Sequence, residues 1–218
     1  MWWEGQVLQD MPVVDDIRTA VKLLYRPGDV VEIRAFGPGG VRRVGRYEFG
    51  WALANAAAAE DAAGNDVYLV LCPSTLPPSP IQDGAQGTRE GDVKVRRFFL
   101  LDCDPIRPNK RATDEEFARA LDVAKKARAH ILEVTGILPI LASSGNGAHL
   151  LVPIADFPND PVHKERIKQF QKVIAKKFST TEVVIECFCD AARLTRCYGS
   201  FNKKQGGPSE TWRKSGIL

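Results

Sequence analysis

Phe98-Phe99-Leu100-Leu101-Asp102-Cys103-Asp104 is the stretch on which the reading of this 218-residue chain turns. Four large apolar side chains run straight into two aspartates one residue apart, the pattern of a buried strand whose polar end surfaces at an open edge. Alternate side chains of a strand share a face, so Asp102 and Asp104 are expected to point together while Cys103 turns back into the packing. Two adjacent carboxylates repel unless a positive charge sits between them, and a hard divalent cation such as Mg²⁺ or Mn²⁺ is the usual remedy. Acidic pairs also serve as plain turn and cap residues, so this one needs company before it signifies a metal site.

Downstream, Thr113 and Glu116 form a capping box for a helix to about Val134, with Phe117, Leu121, Ala124 and Ile131 inward and Gly136 as its stop. Residues 137–145 and 148–154 read as two strands joined by the tight turn Ser144-Gly145-Asn146-Gly147. Asp160 and Pro161 open a second helix, which buries Ile167, Phe170, Ile174 and Phe178. Residues 181–187 are a strand, and 192–200 are expected to add another. From residue 95 the order is therefore strand, helix, strand, strand, helix, strand. That is the pattern of a ferredoxin-like or RNA-recognition-type (RRM-like) antiparallel sheet backed by two helices, an α+β fold.

Upstream, residues 14–25 predict a short amphipathic helix, 29–36 and 41–49 a hairpin around Gly37-Pro38-Gly39-Gly40, 51–63 a helix and 67–73 a strand. The proline-rich stretch 73–91 reads as a long loop, either a cover over substrate or a connector. The division expected is an N-terminal α/β unit over 1–90 and an RRM-like unit over 91–218, the two together making one domain.

Apolar residues make up 44% of the chain and charged residues 26%, as in ordinary globular proteins. With no apolar run of membrane-spanning length and no signal-like N-terminus, a cytoplasmic protein that stays off membranes is expected. The cysteines Cys72, Cys103, Cys187, Cys189 and Cys197 lack CxxC spacing and read as reduced thiols, although a zinc site at Cys187, Cys189 and Cys197 is conceivable. The net charge of +3 conceals an asymmetry: residues 1–90 carry 8 Lys/Arg against 12 Asp/Glu, and residues 91–218 carry 22 against 15. The basic excess shares its half of the chain with the aspartate pair, which suits a polyanion such as a nucleic acid or a nucleoside triphosphate.

Two further motifs accompany the pair. Ser143-Ser144-Gly145-Asn146-Gly147-Ala148-His149 combines glycines that allow close backbone approach with hydroxyls, amides and an imidazole able to donate to phosphate. Glu186 or Asp190 offers a third carboxylate, and Arg193, Arg196 and Lys203 follow as phosphate-binding cations. Acids for metal, donors for phosphate and a basic segment are the parts of a nucleotidyl-transfer site.

As a set, RRFFLLDCDPIRPNKRATDEE, LPILASSGNGAHLLVPIADFPND and AARLTRCYGSFNKK resemble the archaeo-eukaryotic primase superfamily, specifically the primase-polymerase catalytic domains of phages, plasmids and other mobile elements. The resemblance spans residues 10–218 and is strongest from residue 92. It implies a metal-binding role for Asp102 and Asp104, a triphosphate motif from Ser144 to His149 that includes Gly145, Asn146 and Gly147, and a nucleotide-binding segment carrying Arg193, Arg196 and Lys203. In the family the third acid is usually an aspartate, at the place that Ile185 holds here; Glu186, one residue on, is the favoured substitute and Asp190 the other. The implied activity is primer synthesis and extension on single-stranded DNA from nucleoside triphosphates with two Mg²⁺ or Mn²⁺ ions, beside a helicase or accessory domain. A metal-dependent nuclease and a catalytically weak single-strand-binding module are the alternatives.

Overall fold

The computed structural model describes residues 11–107, 111–203 and 209–218. The N-terminal ten residues and part of each basic run, PNK at 108–110 and KQGGP at 204–208, lie outside them. The central strand β5 (Val95–Pro105) forms as its sequence dictates, and its alternation divides two cores. Phe99, Leu101 and Cys103 pack with helices α3 (Asp114–Thr135) and α4 (Pro161–Phe178). Phe98 and Leu100 turn the other way, into a core built with helices α1 (Met11–Leu24) and α2 (Trp51–Ala62). On that second face the apolar residues give way to Asp102 and Asp104, so the strand passes from core to cleft along its length.

Around β5 lie β6 (Ile140–Ser143), β7 (Ala148–Pro158) and β8 (Val183–Phe188), all antiparallel, in the spatial order β6-β7-β5-β8. This is the ferredoxin-like arrangement expected from the element order, with α3 and α4 on one face. Helix α3 opens on the predicted Thr113–Glu116 capping box and closes on Gly136 in the left-handed region at φ 71°. The N-cap of α4 is Asp160, whose carboxylate accepts from the His163 backbone N–H at 2.9 Å, with proline next in line.

The other sheet contains β1 (Val30–Phe36), β2 (Arg42–Glu48), β3 (Asp66–Val70), β4 (Ser79–Asp83) and β9 (Leu194–Arg196), in the order β4-β2-β1-β3-β9. Its odd-numbered face, with Val31, Ile33, Val67 and Leu69, packs on α1 and α2. Three features depart from the sequence expectations. The 73–91 stretch contains β4, an edge strand where Pro80 costs no internal ladder bond. The strand expected at 192–200 joins the first sheet instead of the second, with Tyr68 opposite Arg196. The C-terminus, without a discernible element in the sequence, forms β11 (Arg213–Lys214) against β10 (Phe201–Asn202), then β12 (Gly216–Ile217) on the edge of β6.

The chain returns to the first sheet after completing the second, and Leu100, Ala142 and Leu151 share the α1/α2 core. Glu90 itself fastens the junction. Its carboxylate takes Arg96 at 2.7 Å, Lys164 at 3.1 Å and the Ala191 N–H at 2.7 Å. Those charged hydrogen bonds hold the Glu90 carboxyl below its ordinary range despite the opposing effect of burial.

Candidate active site

Strand register builds the site. Asp102 on β5 lies directly opposite His149 on β7 and Glu186 on β8, so three chemically capable side chains occupy one row on one face, and Asp104 stands two residues along. They line a cleft of about 640 Å³ together with Ser144, Asn146, Arg107, Arg193, Arg196 and Tyr68. The first sheet supplies the opposite wall through Tyr68 and Arg196, which explains why β9 belongs there: it brings the basic segment over the acids.

Three carboxylates, Asp102, Asp104 and Glu186, share the cleft with the arginines Arg107, Arg193 and Arg196. Burial raises the Asp104 carboxyl above the usual aspartate range, and the neighbouring Asp102 and Glu186 add to the shift, while Arg107 and His149 oppose it. Arg107 approaches Asp104 Oδ1 at 3.7 Å and also donates to the Pro105 carbonyl at 3.0 Å. His149 Nε2 lies 3.4 Å from Asp102 Oδ1, and its Nδ1 is held at 2.7 Å by the Tyr198 hydroxyl, which Thr195 Oγ1 meets at 2.8 Å. Tyr198 is fully buried, so the imidazole is braced from behind with Nε2 turned to the acids. Sequence reasoning overlooked both Arg107 and Tyr198. The signals were present, an arginine three residues after the second aspartate and a lone tyrosine within the basic segment.

The turn 144–147 is organised inward as much as outward. Ser144 Oγ accepts from the Gly147 N–H at 2.9 Å, Asn146 Oδ1 accepts from the Ala112 N–H at 3.2 Å, and the Ser144 carbonyl accepts from Asn202 at 2.9 Å. A Cβ at position 147 would stand 2.6 Å from the Cys103 carbonyl and against the Asp104 carboxylate, so glycine is required there to seat the acid. Gly145, at φ 92°, packs beside Asn202. Ser144, Asn146 and His149 line the cleft; Gly145 and Gly147 shape it from behind.

The three expected cations have separate fates. Arg193 lines the cleft with its guanidinium 3.1 Å from the Phe188 ring centroid, and burial lowers its pKa from the usual arginine value. Its Nε has no hydrogen-bond partner among the described residues. Arg196 also lines the cleft, but is paired with Asp66 at 2.7 Å and stacked on Tyr68 at 4.5 Å. Lys203 is not brought to the acids: it is buried against Asp61 at 2.5 Å, its backbone N–H bonds Asp66 at 2.8 Å, and it borders the adjoining cavity instead. Of the two candidate third acids, Glu186 lines the cleft and the exposed Asp190 does not.

Among the described residues no three His, Cys, Asp or Glu side chains gather closely enough to cage an ion unaided, the three cysteines Cys187, Cys189 and Cys197 included. Among the described residues no helix is long and apolar enough to cross a membrane. A pair of carboxylates on one face, one of them destabilised as an anion, still suits Mg²⁺, which commonly takes one or two carboxylates and completes its shell with water and substrate phosphates.

The same arrangement of two sheets is found in solved proteins. The polymerase domain of Mycobacterium tuberculosis ligase D, in complex with DNA, superposes with a TM-score of 0.53 at 15% identity, over 88% of this chain and 76% of that one. Primase RepB′ superposes with a TM-score of 0.52 at 14% identity, over 94% of this chain and 56% of that one, so the chain spans little more than half of that neighbour. The chain shares its fold with this polymerase domain and this primase. No protein-family model and no curated sequence matches the chain. The likeness is thus one of fold, at 14–15% identity, and the α+β architecture expected from the strand and helix order is the one found.

Proposed function

We propose that the chain is a DNA-templated primase-polymerase that makes and extends short primers on single-stranded DNA. The observation that carries this reading is the row His149–Asp102–Glu186, with Asp104 beside it, facing Arg193 and Arg196 across one cleft. A nuclease would need the same acids but no hollow of the size that admits a nucleoside triphosphate.

In this reading Asp102 and Asp104, with Glu186 as third acid, hold Mg²⁺ or Mn²⁺. Bound there, two such ions supply Lewis acidity to the attacking 3′-hydroxyl and charge neutralisation to the leaving pyrophosphate. Ser144 and Asn146 border the triphosphate, and His149, its orientation set by Tyr198, donates from Nε2 to a phosphate oxygen. Arg193 and Arg107 meet the negative charge that grows on the departing group. Arg196 keeps Tyr68 in place as part of the opposite wall. Lys203 belongs to the scaffold.

The test is nucleotide incorporation on a primed and an unprimed single-stranded template with Mg²⁺ or Mn²⁺, offering ribo- and deoxyribonucleotides separately and following pyrophosphate. Templated product with stoichiometric pyrophosphate release supports the reading. Strand cleavage without incorporation would replace it with a nuclease.

A further inference from the structure

Beyond the catalytic cleft, the even-numbered face of the first sheet carries a continuous aromatic and basic track. Tyr68, which lines the cleft, stands opposite Arg34 on β1, and its ring meets Phe36 edge-on at 5.6 Å and 82°. Phe36 in turn stands opposite Arg42 on β2. Tyr68 and Phe36 both border a second cavity of about 760 Å³, which adjoins the cleft through Tyr68. Arg34, Arg42 and Arg89 then line a third, of about 360 Å³, floored by the glycine-containing segment 84–88. Acids, aromatics and arginines thus follow one another across neighbouring strands on one face.

The charge on this face is not internally cancelled. Buried Glu32 is shared by Arg34 and by Arg46 at 3.8 Å, and also takes the Thr88 backbone N–H. Arg42 and Arg89 are exposed, with Arg42 making one bond to the Ala85 carbonyl at 3.2 Å. Three arginines line the groove and the buried Glu32 offsets one of them, which leaves the groove net positive in the half of the chain whose overall balance is acidic. Arginines beside half-buried rings that border open cavities suit a single-stranded nucleic-acid groove, where cations track the phosphates and bases stack on aromatic rings. From β3 to β2 the sheet spans two strand spacings, roughly 10 Å, so a strand leaving the cleft reaches the arginines within a few nucleotides.

We infer that this face, from Tyr68 and Phe36 to the Arg34/Arg42/Arg89 groove, is the path of the single-stranded DNA template away from the catalytic cleft. The proposal rests on the polymerase reading for its direction, but its binding chemistry is testable without catalysis. Fluorescence anisotropy with an oligothymidine of roughly 20 nucleotides, in the absence of metal and nucleotides, compares wild type with Arg42→Ala/Arg89→Ala and with Arg42→Lys/Arg89→Lys across a salt series. The alanine pair is expected to weaken binding roughly tenfold at low salt and to flatten the slope of log K against log salt by about 1.4, at roughly 0.7 per lost phosphate contact. The lysine pair, which keeps the charges, recovers most of the slope, and unchanged thermal unfolding of both variants shows that the fold is intact. Unaltered affinity and slope in the alanine pair would overturn the inference, as would an equal loss of binding to a blunt duplex, which would mark a general polyanion patch. Wild-type protein that binds through these arginines yet forms no product would end the polymerase reading and leave the strand path standing.

Discussion

At the scale of single residues, Asp104 is where function and stability pull apart. Burial and the flanking carboxylates raise its pKa in the folded state. A group shifted in that direction contributes stability below its unfolded pKa and loses it as pH rises through the folded value. At neutral pH the carboxyl therefore costs the fold stability, and Asp104→Asn is expected to raise the melting temperature there. The gain vanishes below about pH 4, where the unfolded aspartate is protonated as well. Mg²⁺ or Mn²⁺ should raise the melting temperature of wild type and leave the asparagine variant nearly unmoved; calorimetry over a pH series checks both. Tyr198→Phe removes the hydroxyl that braces His149. Loss of its hydrogen bond to His149, worth about 1 kcal/mol, should raise the KM for nucleotide roughly fivefold with kcat little changed, read by steady-state incorporation. The aspartate pair could be read from sequence because an apolar run dictates its own alternation. Tyr198 could not, because its role depends on contact with a residue 49 positions away.

At the scale of elements, the segment after β8 serves as a clasp as well as a wall. Lys203 is 4% exposed and pairs with Asp61, which is 6% exposed, at the end of α2. Lys203→Met would strand a buried carboxylate and is expected to cost about 3–5 kcal/mol of stability while leaving nucleotide affinity per folded molecule unchanged, measured by denaturant unfolding and by titration. Arg193→Ala should behave in the opposite way, weakening nucleotide binding with little loss of stability. In sequence the two residues look alike, as members of one basic run; only the placement of α2 under Lys203 separates them. Long elements were legible for similar reasons of locality. The capping box of α3 and the Asp160-Pro161 start of α4 carry their own signals, whereas the two- and five-residue strands β4, β10, β11 and β12 exist because partner edges await them.

At the scale of the whole molecule, the two sheets are joined by a chain that crosses between them more than once, and the cleft exists only where both meet. A fragment of residues 91–218 keeps Asp102, Asp104 and Glu186 but loses the partner of β9 and much of the α1/α2 core. It is expected to lack the cooperative unfolding transition of the full chain and to bind nucleotide poorly, by circular dichroism and titration. The ferredoxin-like half could be traced from the order of strands and helices alone. The cross-sheet closure could not, since no local pattern tells a short strand which sheet to join. The most direct test of the central claim is primer extension on a single-stranded template by wild type and by Asp102→Asn/Asp104→Asn, each first shown to be folded. Templated product from wild type and a loss of about a thousandfold or more in the double variant is the expected result; equal synthesis by both would contradict the assignment of the acids, and with it the polymerising role of the cleft.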